Sequence, residues 1–240
     1  MKKIIFLIVI VLLAIVGYFY FQTERYYNIQ MYNEFILDSP NIEMETAEAE
    51  VKIEQLKENY KNDDIKAIVS IENTDFVTPV VQGKDNEYYL KHLPDGTYNI
   101  NGSIFFDYRL DINKDQKLLI YGHSSEDYDL PLEIIENYQD EKYYENHKHI
   151  YLNIAGVTKK YEVVSAYVET SDFDYMKLEF KSGYDREVHY QRLLDSSFYD
   201  TGATLTEEDA ILILQTCATL EEYKNYEKKY FLVIAKLIAN

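Results

Sequence analysis

Cys217 is the only cysteine in the chain, and it ends the apolar run "AILILQTC" just before the acidic, turn-like "ATLEEY". A thiol in that setting is either a small buried apolar residue or a nucleophile. A nucleophile needs a base or cation that lowers its pKa and a donor for the developing oxyanion. Five histidines are available: His92, His123, His147, His149 and His189. His147 and His149 lie in a Tyr- and Asn-rich polar segment, His189 in a helical pattern flanked by charge, and His92 in the turn-like "KHLPDG". His123 differs, because it ends the apolar "LLIYG" and opens the polar loop "SSEDYD". A strand end next to a glycine is a place where a reactive group faces a cleft while the scaffold holds it, and Cys217 occupies the same kind of position. At this point both readings of the pair stay open, a catalytic dyad or a buried thiol and an ordinary loop histidine. No C-x-x-C, H-E-x-x-H, EF-hand or Gly-rich phosphate motif accompanies them, so neither metal nor cofactor is expected.

The elements that must position these side chains read as strands with helices inserted. "AIVSIENTDFVTPVVQ" is expected to form two strands around an Asn73-Thr74-Asp75 turn. Further strand-like runs are Gly102–Arg109, Lys117–His123, His149–Ala155, Lys159–Glu169, Ala210–Cys217 and Tyr230–Ile238. Between them "DLPLEIIENYQDEKYYENH" and "SGYDREVHYQRLLDSS" carry helical periodicity. The alternation is too irregular for a doubly wound sheet. The fold class is therefore mainly β with inserted helices, a closed mixed β-barrel of about eight strands.

The chain has 240 residues, with 24 Lys plus Arg against 42 Asp plus Glu, a formal charge of −18. Such an acidic surface repels phosphate backbones, so no nucleic-acid partner is expected. One cysteine excludes an intramolecular disulfide. The amino terminus opens with Lys2 and Lys3 and then an 18-residue apolar or aromatic run, Ile4–Phe21. That run spans about 27 Å as a helix, close to a bilayer core, and ends in interface-type aromatics. It lacks the short core and small-residue cleavage site of a removable signal peptide, the competing reading. The expectation is a single-pass anchor with a cytoplasmic N-terminus and everything after residue 22 outside. In "ETAEAEVKIEQLKENYKND" (Glu45–Asp64), Ala49, Val51, Ile53, Leu56 and Tyr60 share a broad helical face, with Pro40 and Asn41 as start signals. The expected organisation is an anchor over 1–22, a juxtamembrane helical segment over 23–64 and a β-barrel domain over 65–240. A freely mobile stalk is the alternative for the middle segment.

Several of these segments resemble sortases. "ILQTC" (Ile213–Cys217) is similar to the T-L-x-T-C strand end of that family, with Ile213 in place of the usual Thr, and "IYGHSS" (Ile120–Ser125) is similar to its histidine segment. "ENTDFVTPVVQGKDNEYYL" (Glu72–Leu90), "GSIFFDYR" and "SAYVETSDFDYMKLEF" (Ser165–Phe180) resemble the class B branch. The resemblance runs in order from about Ile65 to Ile238. It implies a membrane-anchored cysteine transpeptidase of the Gram-positive cell surface. Such an enzyme cleaves an N-P-x-T-x sorting signal at the C-terminal end of a surface or pilin protein. It holds the acyl group as a thioester and transfers it to an amine of a peptidoglycan precursor, or to a pilin amine. By this resemblance Cys217 is the nucleophile and His123 pairs with it and protonates the leaving amine. Asn86 and Leu90 contact the signal, Thr216 flanks the nucleophile, and the segment after Glu169 forms a lid-like insertion.

One departure from the family pattern bears on activity. The family carries an arginine on the strand after the cysteine, and anchoring on Ala235-Lys236 puts Tyr230 there; no arginine follows Arg192. Strand periodicity sets Lys228 on the Tyr230 face and Lys229 on the opposite one. Three substitutes are thus expected to compete: the Tyr230 hydroxyl, Lys228 as a cation, or Arg109 if the fold brings it near. The alternative functions are a catalytically impaired sortase-like module that binds and scaffolds, or a pilin polymerase.

Overall fold

The computed structural model describes residues 6, 9–20, 46–126, 130–154 and 156–239. Eight strands close into a barrel in the order β1-β2-β3-β4-β7-β8-β6-β5. They are β1 (Ile65–Ile71), β2 (Val77–Val81), β3 (Phe105–Phe106), β4 (Lys117–Tyr121), β5 (His149–Ile154), β6 (Val157–Glu169), β7 (Ile211–Cys217) and β8 (Tyr230–Ala239). Pairing is antiparallel except for β2 with β3 and β4 with β7, so the sheet is mixed as expected. Closure removes sheet edges, which accounts for strands such as β2 and β4 being buried along their whole length.

Local chemistry explains most of these elements. The β1–β2 turn uses Asn73 at φ 55°, and the Thr74 hydroxyl donates to the Ile71 carbonyl at 2.8 Å. β2 tolerates Pro79 because its far side pairs with β3 only at Val81–Phe105, so few ladder donors are required there. The run expected as a strand over 102–109 contributes only Phe105 and Phe106 to the sheet. Its remainder turns to build polar contacts around Asp107, described below.

The helical expectations are met with changes. Helix α1 (Thr46–Tyr60) packs on β1, β5 and β6 through buried Ile53 and Leu56, so this stretch is docked on the barrel. Val51, placed on the same apolar face by periodicity, is solvent-exposed. Pro40 and Asn41 lie outside the described residues. The 129–147 run resolves into a 3-10 helix, Pro131–Gln139, and a short helix α2 (Glu141–Asn146) whose N-cap, Asp140, accepts from the Lys142 N–H. Helix α3 (Gly183–Asp195) begins at Ser182, whose hydroxyl accepts from the Asp185 N–H. At the amino terminus residues 9–20 are helical, with Val9, Leu13, Phe19 and Tyr20 among the exposed apolar side chains. Among the described residues, no helix is long and apolar enough to cross a membrane.

The 3-10 helix plugs the barrel end at which β4 and β7 finish, and a glycine makes that possible. A Cβ on Gly122 would stand 2.7 Å from Leu132 Cδ2 and 3.3 Å from Ile104 Cγ1. Gly122 is the residue directly before His123, so the close approach of the plug and the placement of the imidazole are one packing problem. We predict that Gly122→Ala lowers stability by about 1–3 kcal/mol through overpacking. Urea unfolding monitored by tyrosine fluorescence measures it, and a wild-type midpoint contradicts the packing argument.

Candidate active site

Register brings the predicted pair together. In the parallel β4–β7 ladder Tyr121 pairs with Gln215, and the Gly122 N–H continues it by donating to the Gln215 carbonyl at 3.1 Å. The next residues along, His123 and Cys217, therefore stand side by side on one face of the sheet. On the other side of β7, Cys217 pairs with Tyr230, which in turn pairs with Glu169 of β6. His123, Cys217, Tyr230 and Glu169 form one row across four strand ends. The Thr216 hydroxyl donates to the Gly122 carbonyl at 3.0 Å, and the Ser124 hydroxyl donates to the Cys217 carbonyl. Both bonds clamp the nucleophile's strand to the histidine's. Thr216 flanks Cys217 but is fully buried, so its hydroxyl is a strand tie.

The histidine is oriented by a contact the sequence did not reveal. His123 Nε2 lies 2.9 Å from the Leu90 carbonyl oxygen. A carbonyl only accepts, so Nε2 carries the proton and Nδ1 is the nitrogen left for acid–base work. Leu90 ends a 3-10 turn, Tyr88–Leu90, which is backed by Gly102 at φ +59°. A Cβ on Gly102 would meet the Tyr89 carbonyl oxygen at 2.4 Å and the Leu90 carbonyl at 2.7 Å, so only glycine fits behind this carbonyl. Asn86 lies just upstream. Its amide donates to Asp107 Oδ2 at 3.2 Å, and its oxygen accepts from the Tyr108 N–H at 2.9 Å.

Beneath the thiol sits a buried carboxylate. Glu136, on the 3-10 plug, accepts from the Thr219 N–H at 3.0 Å and from its hydroxyl at 2.9 Å. This fixes the turn two residues past Cys217. Burial raises the Glu136 pKa, opposed by the two Thr219 bonds. Cys217 reaches solvent, yet desolvation by its walls raises the thiol pKa, with the Glu136 charge acting in the same direction and Lys229 against it. Burial and Glu136 therefore favour the neutral thiol over the thiolate, and Lys229 opposes them.

The far wall comes from the segment after Glu169. The Tyr175 ring packs on Tyr230 with centroids 5.9 Å apart. Lys117 anchors this segment from the core: its buried Nζ donates to the Tyr175 carbonyl at 2.6 Å and the Lys177 carbonyl at 2.9 Å, and lies 2.9 Å from His189 Nε2. Burial, followed by the Lys117 charge, takes His189 down to about 3, so the ring is neutral, and Nε2 accepts from the Lys117 ammonium, which can only donate. Lys228, on the Tyr230 side, pairs with Asp172 and stays at the surface.

Arg109 is not brought to Cys217. It forks onto Asp107, with Nε and Nη2 at 2.8 and 2.7 Å, and its Nη2 also reaches the Met176 carbonyl at 3.2 Å. It lines a cleft of about 580 Å³ with Lys117, Asp174, Lys177 and Arg186, whose walls include neither His123 nor Cys217. At Asp107 burial opposes ionisation, but bonds from Arg109, Tyr121 and Asn86 outweigh it and bring the carboxyl to about 2. The unfolded value is about 3.9, so between those values the folded state binds fewer protons. The ionised cluster thus stabilises the fold above about pH 4, and its contribution is lost as the pH falls toward 2. We predict that Asp107→Asn lowers the urea midpoint at pH 7 and makes its fall between pH 4 and 2 shallower than in the wild type.

The Sortase domain family model matches residues 69–238. Sortase B of Listeria monocytogenes is 31% identical over 179 residues, covering 74% of this chain and 71% of that protein. A mutant form of Clostridium perfringens sortase B superposes with a TM-score of 0.72 at 27% identity, over 81% of this chain and 90% of that one. A Staphylococcus aureus sortase B–substrate complex gives a TM-score of 0.69 at 28% identity, over 78% and 85% of the two chains. With a closed eight-stranded barrel and its one cysteine at the end of β7, the chain belongs to the sortase family, the cysteine transpeptidases that cleave sorting signals, and is of the sortase B type.

Proposed function

We propose that the protein is a membrane-anchored transpeptidase that cleaves an N-P-x-T-x type signal on a surface or pilin protein and joins the acyl fragment to a cell-wall amine. The observation that carries the assignment of residues is the shared register of β4, β7 and β8, which aligns His123, Cys217 and Tyr230. Cys217 Sγ attacks the scissile carbonyl and gives its proton to His123 Nδ1. The imidazolium keeps its Nε2–H on the Leu90 carbonyl and returns the Nδ1 proton to the leaving amine, which frees the thioester. The incoming amine then attacks the thioester carbon, loses a proton to His123, and expels the thiol. Asn86, Leu90 and Lys228 contact the signal, with Tyr175 and Tyr230 packed together beside the nucleophile. The S. aureus relative solved as a substrate complex supports a substrate at this end of the barrel. The Ile4–Phe21 run and the exposed apolar side chains of residues 9–20 support a single-pass anchor with the barrel outside the cell.

Incubating the 46–240 domain with a panel of N-P-x-T-x peptides and an amine acceptor tests this reading. Cleavage and a Cys217 thioester detectable by mass spectrometry are expected. Cys217→Ala is expected to abolish both, and His123→Ala to slow cleavage by about 10²–10⁴-fold. Cleavage is expected to be bell-shaped in pH, as for a coupled thiol–imidazole pair. Tyrosine in the place of the family arginine favours a second reading, a signal-binding scaffold with impaired chemistry. In that case peptides bind, no thioester forms, and Cys217→Ala leaves the cellular phenotype intact.

A further inference from the structure

The transpeptidase reading leaves one requirement unmet. An acyl oxygen that gains negative charge beside Cys217 is stabilised by a donor or a positive group, and the two cations raised by the sequence are engaged elsewhere. Arg109 is forked onto Asp107, Lys228 is paired with Asp172, and no arginine follows Arg192. Arg192 itself lies 3.7 Å from Glu169 Oε2 and stacks over Phe173 at 5.2 Å.

Lys229 has a different geometry. Its carbonyl accepts from the Ala218 N–H at 2.7 Å, which fixes its backbone beside the residue that follows the nucleophile. Its ammonium lies 3.8 Å from Glu126, three residues after His123. In the sheet β7 stands between β4 and β8. The Lys229 side chain therefore runs from the start of β8 to the loop after β4, past the β7 end at Ala218, the residue that follows the nucleophile. It is only 25% exposed, against 48% for Lys228, so its charge is screened less by water. Among the described residues, it is the cation whose charge favours the Cys217 thiolate.

We propose that the Lys229 ammonium supplies the positive charge at the nucleophile, in the role left open by Tyr230 standing where the family has arginine. The proposal rests on the transpeptidase reading for its catalytic part. As the S–C bond forms, the carbonyl π pair moves onto oxygen, and Lys229 faces that oxyanion from the end of β8. Collapse restores the carbonyl and breaks the C–N bond, and the amine takes its proton from His123. Lys229 keeps its own protons throughout. The Tyr230 hydroxyl adds a neutral donor from the position paired with Cys217 on β8.

The test uses Lys229→Met, Lys229→Arg and a control, Lys224→Met, which removes an exposed lysine paired with Glu221 on the same loop. Iodoacetamide alkylation of Cys217 is followed against pH, with peptide cleavage measured in parallel. The thiol titrates among His123, Glu126, Glu136, Lys229, Tyr175 and Tyr230, and only the lysine's charge differs between wild type and the Met variant. Lys229→Met is expected to move the alkylation midpoint to higher pH and to slow cleavage by about 10²–10³-fold. Lys229→Arg is expected to keep the wild-type midpoint, as is the control. A wild-type midpoint in Lys229→Met overturns the proposal, whatever happens to cleavage. The transpeptidase reading fails by a separate result, the absence of any Cys217 thioester in the wild-type protein.

Discussion

Parallel pairing of β4 with β7, continued by the Gly122–Gln215 bond, decides where His123 and Cys217 go, and the remaining contacts of the site are built around it. Neighbouring strands stand about 4.8 Å apart and side chains alternate faces, so register alone turns two residues 94 positions apart in the chain, like Gly122 and Thr216, into contacts. A slip of one residue would turn Cys217 to the other face and leave the imidazole without a partner. The Thr216 hydroxyl and the Ser124 hydroxyl each bond across this pairing next to the nucleophile, which holds the register at the strand end, where fraying is otherwise easiest.

Around that ladder the site is closed by three elements that arrive from distant parts of the chain. The 3-10 plug seats Leu132 against Gly122 and Glu136 against Thr219. The Tyr88–Leu90 turn holds His123 in one tautomer. The segment after Glu169 lays Tyr175 against Tyr230, and Lys117 pins it with two carbonyl bonds drawn from the core. Each contributes an orientation to a side chain that it does not itself carry. This is the usual division between a rigid barrel and reactive groups at its rim.

The electrostatics follow from the same geometry. Partial desolvation and Glu136 favour the neutral thiol, while Lys229 opposes them. The thiol becomes a nucleophile when His123 Nδ1 takes its proton. At the start of β8 the two neighbouring lysines diverge: Lys228 is drawn outward by Asp172, and Lys229 reaches toward Glu126.

Much of the barrel was legible in the chain. β-Branched runs bounded by turn residues marked its strands, since their burial on a closed sheet demands continuous apolar content, and the lone cysteine and His123 stood out because each ends such a run. Strand periodicity also set Lys228 and Lys229 on opposite faces, but it could not say which one matters to Cys217. That answer depends on Asp172 and Glu126, which approach only when the insertion and the β4 loop fold over the barrel end. For the same reason the Leu90 carbonyl, the Asp107 cluster and Glu136 were hidden: backbone acceptors and buried carboxylates acquire their partners from segments far away in sequence. The sequence by itself determined which residues have the chemistry to form or break a bond. Only the tertiary structure decided their tautomer, their charge and their partners, because these depend on distances that strand register and loop packing set.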